Sequence, residues 1–176
     1  MTGGPPVRGT KLLAWRVPKI WNDLETGKLN APENSKVLAR QKRLGEQTKA
    51  TLKEIYADVR EGLMETVGVD CALVVGEKCS VKLDLPETAD TEKIARAIDL
   101  ENIEAWRDTE GKVHVAINPW YSTKDVDQTV LCAVKVIHVL LGIHASDTEK
   151  PKSFKQKLLA SIAEVMQIQQ QNEDKK

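Results

Sequence analysis

From about residue 35 to residue 67 apolar side chains return every three or four positions. Leu44, Leu52, Ile55, Tyr56, Val59, Leu63 and Val67 make the series. At 100° per residue those after Leu52 fall on one stripe, which predicts an amphipathic helix over 35–67. Gly45 either breaks that helix or caps an earlier one, and Gly68 ends it. The period then changes to two. In "CALVVGEKCSVKLDLP", Cys79, Val81, Leu83 and Leu85 alternate with Ser80, Lys82 and Asp84. That predicts a hairpin over 70–85, with Gly76-Glu77 as a two-residue turn and Pro86 as its end. A helix over 90–99 follows, capped by Asp90 or Thr91, with Ile94, Ala97 and Ile98 facing inward.

A second hairpin is predicted over 102–118. Thr109, Glu110 and Gly111 make a three-residue loop with glycine at its left-handed position. If Asp108 faces Lys112, then Ile103 faces Ile117, Ala105 faces Val115 and Arg107 faces Val113 on one side. Trp106 faces His114 and Glu104 faces Ala116 on the other. Pro119 stops the second strand. Ser122, with Asp125 three residues on, opens a helix over 122–141 that Gly142 closes. A last helix over 151–170 sets Phe154, Leu158, Ile162, Val165 and Met166 on one stripe. Residues 1–33 read differently: a glycine- and proline-rich flexible tail, then an arm in which Trp15 and Trp21 flank Pro18.

The predicted fold class is α+β. From Cys79 onward the order is β-α-β-β-α, most of a split β-α-β, ferredoxin-like antiparallel sheet, and the 71–75 strand is a candidate fourth strand. A long N-terminal helix and one or two C-terminal helices flank this core. Residues 34–176 form one domain.

Composition narrows the function classes. Lys plus Arg is 26 and Asp plus Glu is 26. That balance does not favour general binding to nucleic acid or to a membrane surface. No apolar run reaches the length of a spanning helix, so no membrane insertion is expected. Three cysteines without a signal peptide suggest free thiols and a cytoplasmic location.

The 122–141 helix carries the densest chemistry. Asp125, Gln128, Cys132, Lys135 and His138 share a polar stripe on an otherwise apolar helix. A thiol one turn from an ammonium can ionise early and react; a small buried core thiol is the plainer alternative. Asn118, Trp120 and Tyr121 precede this helix, and with Cys132, Lys135 and His138 they are the ligand-binding candidates. His138, His144 and Cys132 lie six residues apart, a poor spacing for a metal, so none is expected. Trp106 and His114 could stack a planar ligand or lie covered by a helix. Lys36, Arg40, Lys42, Arg43, Lys49 and Lys53, with Lys150, Lys152, Lys155 and Lys157, could form a phosphate-binding stripe or a solvated face.

Residues 96–134 resemble the small C-terminal domain of fold-type I pyridoxal-phosphate enzymes, with Tyr121, Ser122, Thr123 and Asp125-Val126-Asp127 in corresponding places. The resemblance implies a shape. That family's carboxylate-binding arginine has no counterpart on the 113–117 strand, and the large cofactor domain has no room. No cofactor is expected.

The expected function is a non-enzymatic interaction subunit, because the 122–141 helix carries more apolar surface than a thin sheet covers. Trp15, Trp21, Val130, Ile137, Leu141, Leu158 and Ile162 are the candidate interface to a protein partner or a second copy. A small enzyme or ligand-binding domain near Trp120 and Cys132 is the alternative. A nucleic-acid binder using the basic stripe is the third reading.

Overall fold

The computed structural model describes residues 10–27 and 36–142. The expected helix over 151–170, with Leu158 and Ile162, lies outside them, as do residues 1–9. The elements are α1 (Lys19–Glu25), α2 (Lys36–Val67), β1 (Cys71–Val75) and β2 (Cys79–Leu83), followed by α3 (Thr91–Leu100), β3 (Ala105–Arg107), β4 (Val113–Ala116) and α4 (Thr123–Leu141). The protein is thus α+β, with four described helices and one four-stranded antiparallel sheet.

Local chemistry accounts for most boundaries. The Asp90 carboxylate accepts from the Lys93 N–H at 3.1 Å and caps α3. Ser122 and Asp125 complete a reciprocal capping box at the start of α4, and Gly142 ends that helix in a left-handed conformation. Gly111 takes a positive φ of 80° in the β3–β4 loop. The register there follows the expected one: Ala105 opposite Val115, Trp106 opposite His114, Arg107 opposite Val113.

The strand order is β1-β2-β4-β3. α3 therefore joins two strands, β2 and β3, that leave a slot one strand wide, and β4 fills it. One sheet face meets the helices. Cys79, Val81, Leu83, Val113, Val115 and Ile117 share a buried cluster with side chains from all three long helices. These include Leu52, Val59 and Leu63 of α2, Ile94 and Ile98 of α3, and Val130 and Ile137 of α4. Ala72, Val74, Lys82 and Trp106 point to the opposite face and take no part in this core.

Several expectations need correction. Val75 pairs with Cys79, so the first hairpin turns through three residues, Gly76, Glu77 and Lys78. A two-residue turn led by glycine would need a positive φ at Gly76, which it does not have. α2 runs unbroken through Gly45, where a Cβ would stand 3.2 Å from the Trp21 ring. That glycine makes room for a tryptophan. Leu44 is correspondingly exposed rather than part of the buried stripe. Pro18 is the N-cap of α1, which begins at the following residue.

The arm departs furthest from expectation. Leu12 bridges in parallel to Ile103: its N–H donates to the Asn102 carbonyl, and its own carbonyl accepts from the Glu104 N–H, both at 2.8 Å. Three residues on, the Trp15 N–H donates to the Ile117 carbonyl at 3.0 Å, and the Trp15 carbonyl accepts from the Cys79 N–H at 2.8 Å. The arm is stitched into the sheet where β2, β3 and β4 spread apart. Trp15 is buried in the chain's own core and packs at 5.8 Å, tilted, against a half-buried Trp21.

α4 is covered by its own chain as well. α2 packs along it, and a Cβ at Gly62 would meet Val130 Cγ1 at 2.7 Å. This near approach encloses Val130 and Ile137 and leaves Leu141 half-buried against the core. The candidate interface residues Trp15, Val130 and Ile137 are therefore interior residues. Alanine at position 62 gains about 1 kcal/mol of helix propensity but overpacks a stiff β-branched neighbour at a cost of about 1–3 kcal/mol. Denaturant titration should find Gly62→Ala destabilising in the wild-type background and stabilising in a Val130→Ala background.

Candidate functional site

The sheet face away from the core is polar, and alternation along the strands decides which side chains it carries. Lys78, Ser80 and Lys82 come from β2 and its loop, Glu104, Trp106 and Asp108 from β3 and its flanks, His114 and Ala116 from β4. His114 sits at the centre. Its Nδ1 lies 2.8 Å from Ser80 Oγ, and its Nε2 lies 2.9 Å from Asp108 Oδ2. A carboxylate can only accept, so Asp108 keeps a proton on Nε2. When the ring carries only that proton, the Ser80 hydroxyl donates to Nδ1. Asp108 is itself fixed by the N–H groups of Glu110 and Lys112, at 2.9 and 2.8 Å. The hydrogen bond from His114, helped by those from the backbone, holds its carboxyl below the usual range.

Trp106 stacks on the imidazole, with centroids 5.4 Å apart and planes 7° from parallel. Lys78 Nζ stands 4.9 Å above the Trp106 ring and pairs with Glu104 Oε1 at 2.6 Å. The other Glu104 oxygen accepts from the Ala14 N–H at 2.8 Å. Burial pushes the Glu104 carboxyl up. The bonds from Lys78 and Ala14 outweigh that and leave it below its ordinary value. The open face therefore carries one continuous polar chain from the arm to the second hairpin.

Ser80, His114 and Asp108 have the composition of a nucleophilic triad, but the serine is 0% exposed. A substrate carbonyl has no line of approach to its oxygen in this conformation. The arrangement locks β2, β4 and the second hairpin together, with every polar atom of the relay partnered. Sequence reasoning found the Trp106–His114 pair from register alone. It missed Ser80, because nothing local to Ser80 says that β2 lies beside β4.

A second feature lies where the arm meets the start of α4. The Leu13 carbonyl accepts from Tyr121 Oη–H at 3.1 Å and from Asn118 Nδ2–H at 3.5 Å. Burial, with the charges of Asp125 and Glu104, raises the Tyr121 hydroxyl well above its usual range, so it stays a donor. Asn118 Oδ1 also accepts from the Trp120 N–H at 3.0 Å, which fixes the turn. On this frame the Trp120 residue is 73% exposed and Leu13 is 55% exposed.

The six ligand-binding candidates do not converge. Asn118, Trp120 and Tyr121 share the corner at the arm. Cys132 lies about 16 Å further along α4, at 1.5 Å per residue. Its thiol is pushed up to about 11 by burial, with Glu101 adding and Lys135 opposing. Lys135 is paired with Glu101 at 2.9 Å. His138 is exposed. A reactive thiol at Cys132 finds no support in this setting, and the buried core reading fits it. On α2, Lys36, Arg40, Lys42, Arg43 and Lys53 are exposed, while Lys49 pairs with Glu25. Among the described residues no three His, Cys, Asp or Glu side chains group as metal ligands, and no helix is long and apolar enough to cross a membrane.

No protein-family model matches the chain, and no curated protein matches it either.

Two measurements follow from these environments. All three thiols are free, buried and raised, Cys71 to about 12 and Cys132 to about 11, with burial the main cause. At neutral pH a thiol reagent should label the folded chain more slowly than free cysteine at every position, and denaturant should abolish the difference. Glu104 is depressed in the folded state, so its contribution is present above its unfolded value and fades as pH falls through the folded one. Glu104→Gln should lose about 1–3 kcal/mol at neutral pH. Its stability should then fall less steeply than the wild type's as pH drops below 5, by denaturant titration across pH.

Proposed function

We propose that this chain is a protein-interaction subunit that docks on a larger protein through the corner formed by Leu13 and Trp120. The observation that carries this reading is a large aromatic residue and a leucine left in solvent on a backbone that is otherwise tied down. Free loops do not hold a tryptophan in one place; here Asn118, Tyr121 and the capping box of α4 do. Tryptophan is the residue most enriched at binding hot spots, and a fixed one loses little entropy on docking. An apolar groove is the partner chemistry that fits.

The ferredoxin-like assignment belongs to this proposal too. β2, α3, β3 and β4 make the split β-α-β, and β1 takes the place beside β2 that a strand after α4 would otherwise hold; the strand order supports this reading. We also assign the chain to a reducing, cytoplasmic compartment, on the support of three unpaired buried thiols.

Affinity capture from the protein's own source organism tests the docking corner. A partner retained by the wild type should be lost with Trp120→Ala, with binding at least ~30-fold weaker for a hot-spot aromatic. Leu13→Ser should weaken it less, and both variants should melt like the wild type. A stoichiometric partner held equally by Trp120→Ala, or no partner at all, overturns the proposal.

A further inference from the structure

The two edges of the sheet are protected unequally. β3 is three residues long and ends in Arg107. Its outward-facing Ala105 N–H is taken by the Asp99 carboxylate at 3.3 Å, and Asp99 is itself held by Lys11 at 2.6 Å. β1, at the other edge, carries no charge, no proline and no bulge in "CALVV". Native proteins guard such edges with those devices, and an unguarded apolar one is a template for strand addition.

The ladder shows which groups are open. The Asp84 N–H donates to the Asp70 carbonyl, so Asp70, Ala72 and Val74 turn their backbone groups toward β2. Cys71, Leu73 and Val75 turn theirs outward. Cys71 is already satisfied, its carbonyl by Tyr56 Oη–H at 2.9 Å and its N–H by the Asp70 carboxylate at 2.8 Å. Among the described residues, the outward N–H and C=O groups of Leu73 and Val75 have no protein partner, and Val75 is 44% exposed.

We propose that β1 pairs antiparallel with β1 of a second copy of this chain, centred on Val74. The open stretch is too short to hold a long peptide strand, yet it complements itself completely. With Val74 opposite Val74 of the other copy, Leu73 faces Val75 twice. Each such pair exchanges two hydrogen bonds, so all four open N–H groups meet all four open carbonyls. Cross-strand neighbours are then valine and leucine only, with no like charges opposed. The interface is isologous and closes at two copies. It joins the two sheets into one of eight strands. This surface is separate from the Trp120 corner, and either assignment can fail without the other.

The Val74 side chain lies on the open face, outside the core, so charge can be placed there without disturbing the fold. Sedimentation of the full chain from about 10 µM to about 1 mM spans the range of a small reversible interface. The wild type should pass from monomer to dimer. Val74→Lys and Val74→Glu should each weaken the dimer at least tenfold, and an equimolar mixture of the two should restore it. Amide exchange supplies a readout that needs no variant: the Leu73 and Val75 N–H groups should gain protection as concentration rises. A wild type that stays monomeric throughout overturns the proposal, as does a dimer in which these two amides exchange freely. Variants that fail to recover on mixing would overturn it too. Trp120→Ala should dimerise like the wild type.

Discussion

The backbone bonds of Trp15 to Cys79 and Ile117 are what the rest of the molecule depends on. β2 and β4 pair along their middles; where the arm enters, the Ile117 N–H still donates to the Cys79 carbonyl at 3.3 Å, but the reciprocal bond is replaced by the arm. An opened ladder leaves N–H and C=O groups without partners in a place that the tryptophan ring shuts off from water. Such groups are costly unless something reaches them. The arm reaches them with backbone groups, while the Leu12 side chain joins the core. Trp15 then adds the bulk that closes the core at that end, and Trp21 continues the packing onto α2. The glycine at position 45 is the counterpart of that ring.

Much of this architecture was legible in the chain because it rests on short-range signals. The second hairpin followed from one loop, Thr109-Glu110-Gly111, and everything in its register came by counting from Asp108. α4 followed from its caps and its apolar girth. The less legible parts share a cause. The turn at Gly76-Glu77-Lys78 is one residue longer than its glycine suggests, and Lys78 leaves the loop for Glu104, a partner no local pattern reveals. The arm looks like a loose strap because its bonding partners are backbone groups far along the chain. The apolar surplus of α4 was real, but Gly62 lets α2 absorb it, and a single missing methyl is invisible in a hydrophobicity pattern.

The same distinction explains the site. Tyr121 and Asn118 were recognisable as candidates by position, before a capped helix and after a proline-stopped strand. Their role, holding the Leu13 carbonyl, depends on an arm whose course no periodicity records. Cys132 and Lys135 are neighbours on one helical face, as spacing requires. Yet the ammonium answers to Glu101 at the C-cap of α3, and the thiol is buried in the core. Ser80 is the reverse case. Its place in an alternating strand marked it as a solvent-side residue, and it is wholly enclosed, because His114 and its stacked tryptophan roof it over.

The stitched arm also sets an order of events during synthesis. Residues 12–15 leave the ribosome about 60 to 100 residues ahead of the groups they will bond, so they emerge with nothing to hold. Their bonds to Cys79, Asn102, Glu104 and Ile117 can close only after those residues have been made. The seam between β2 and β4 is thus closed by a segment synthesised well before either strand.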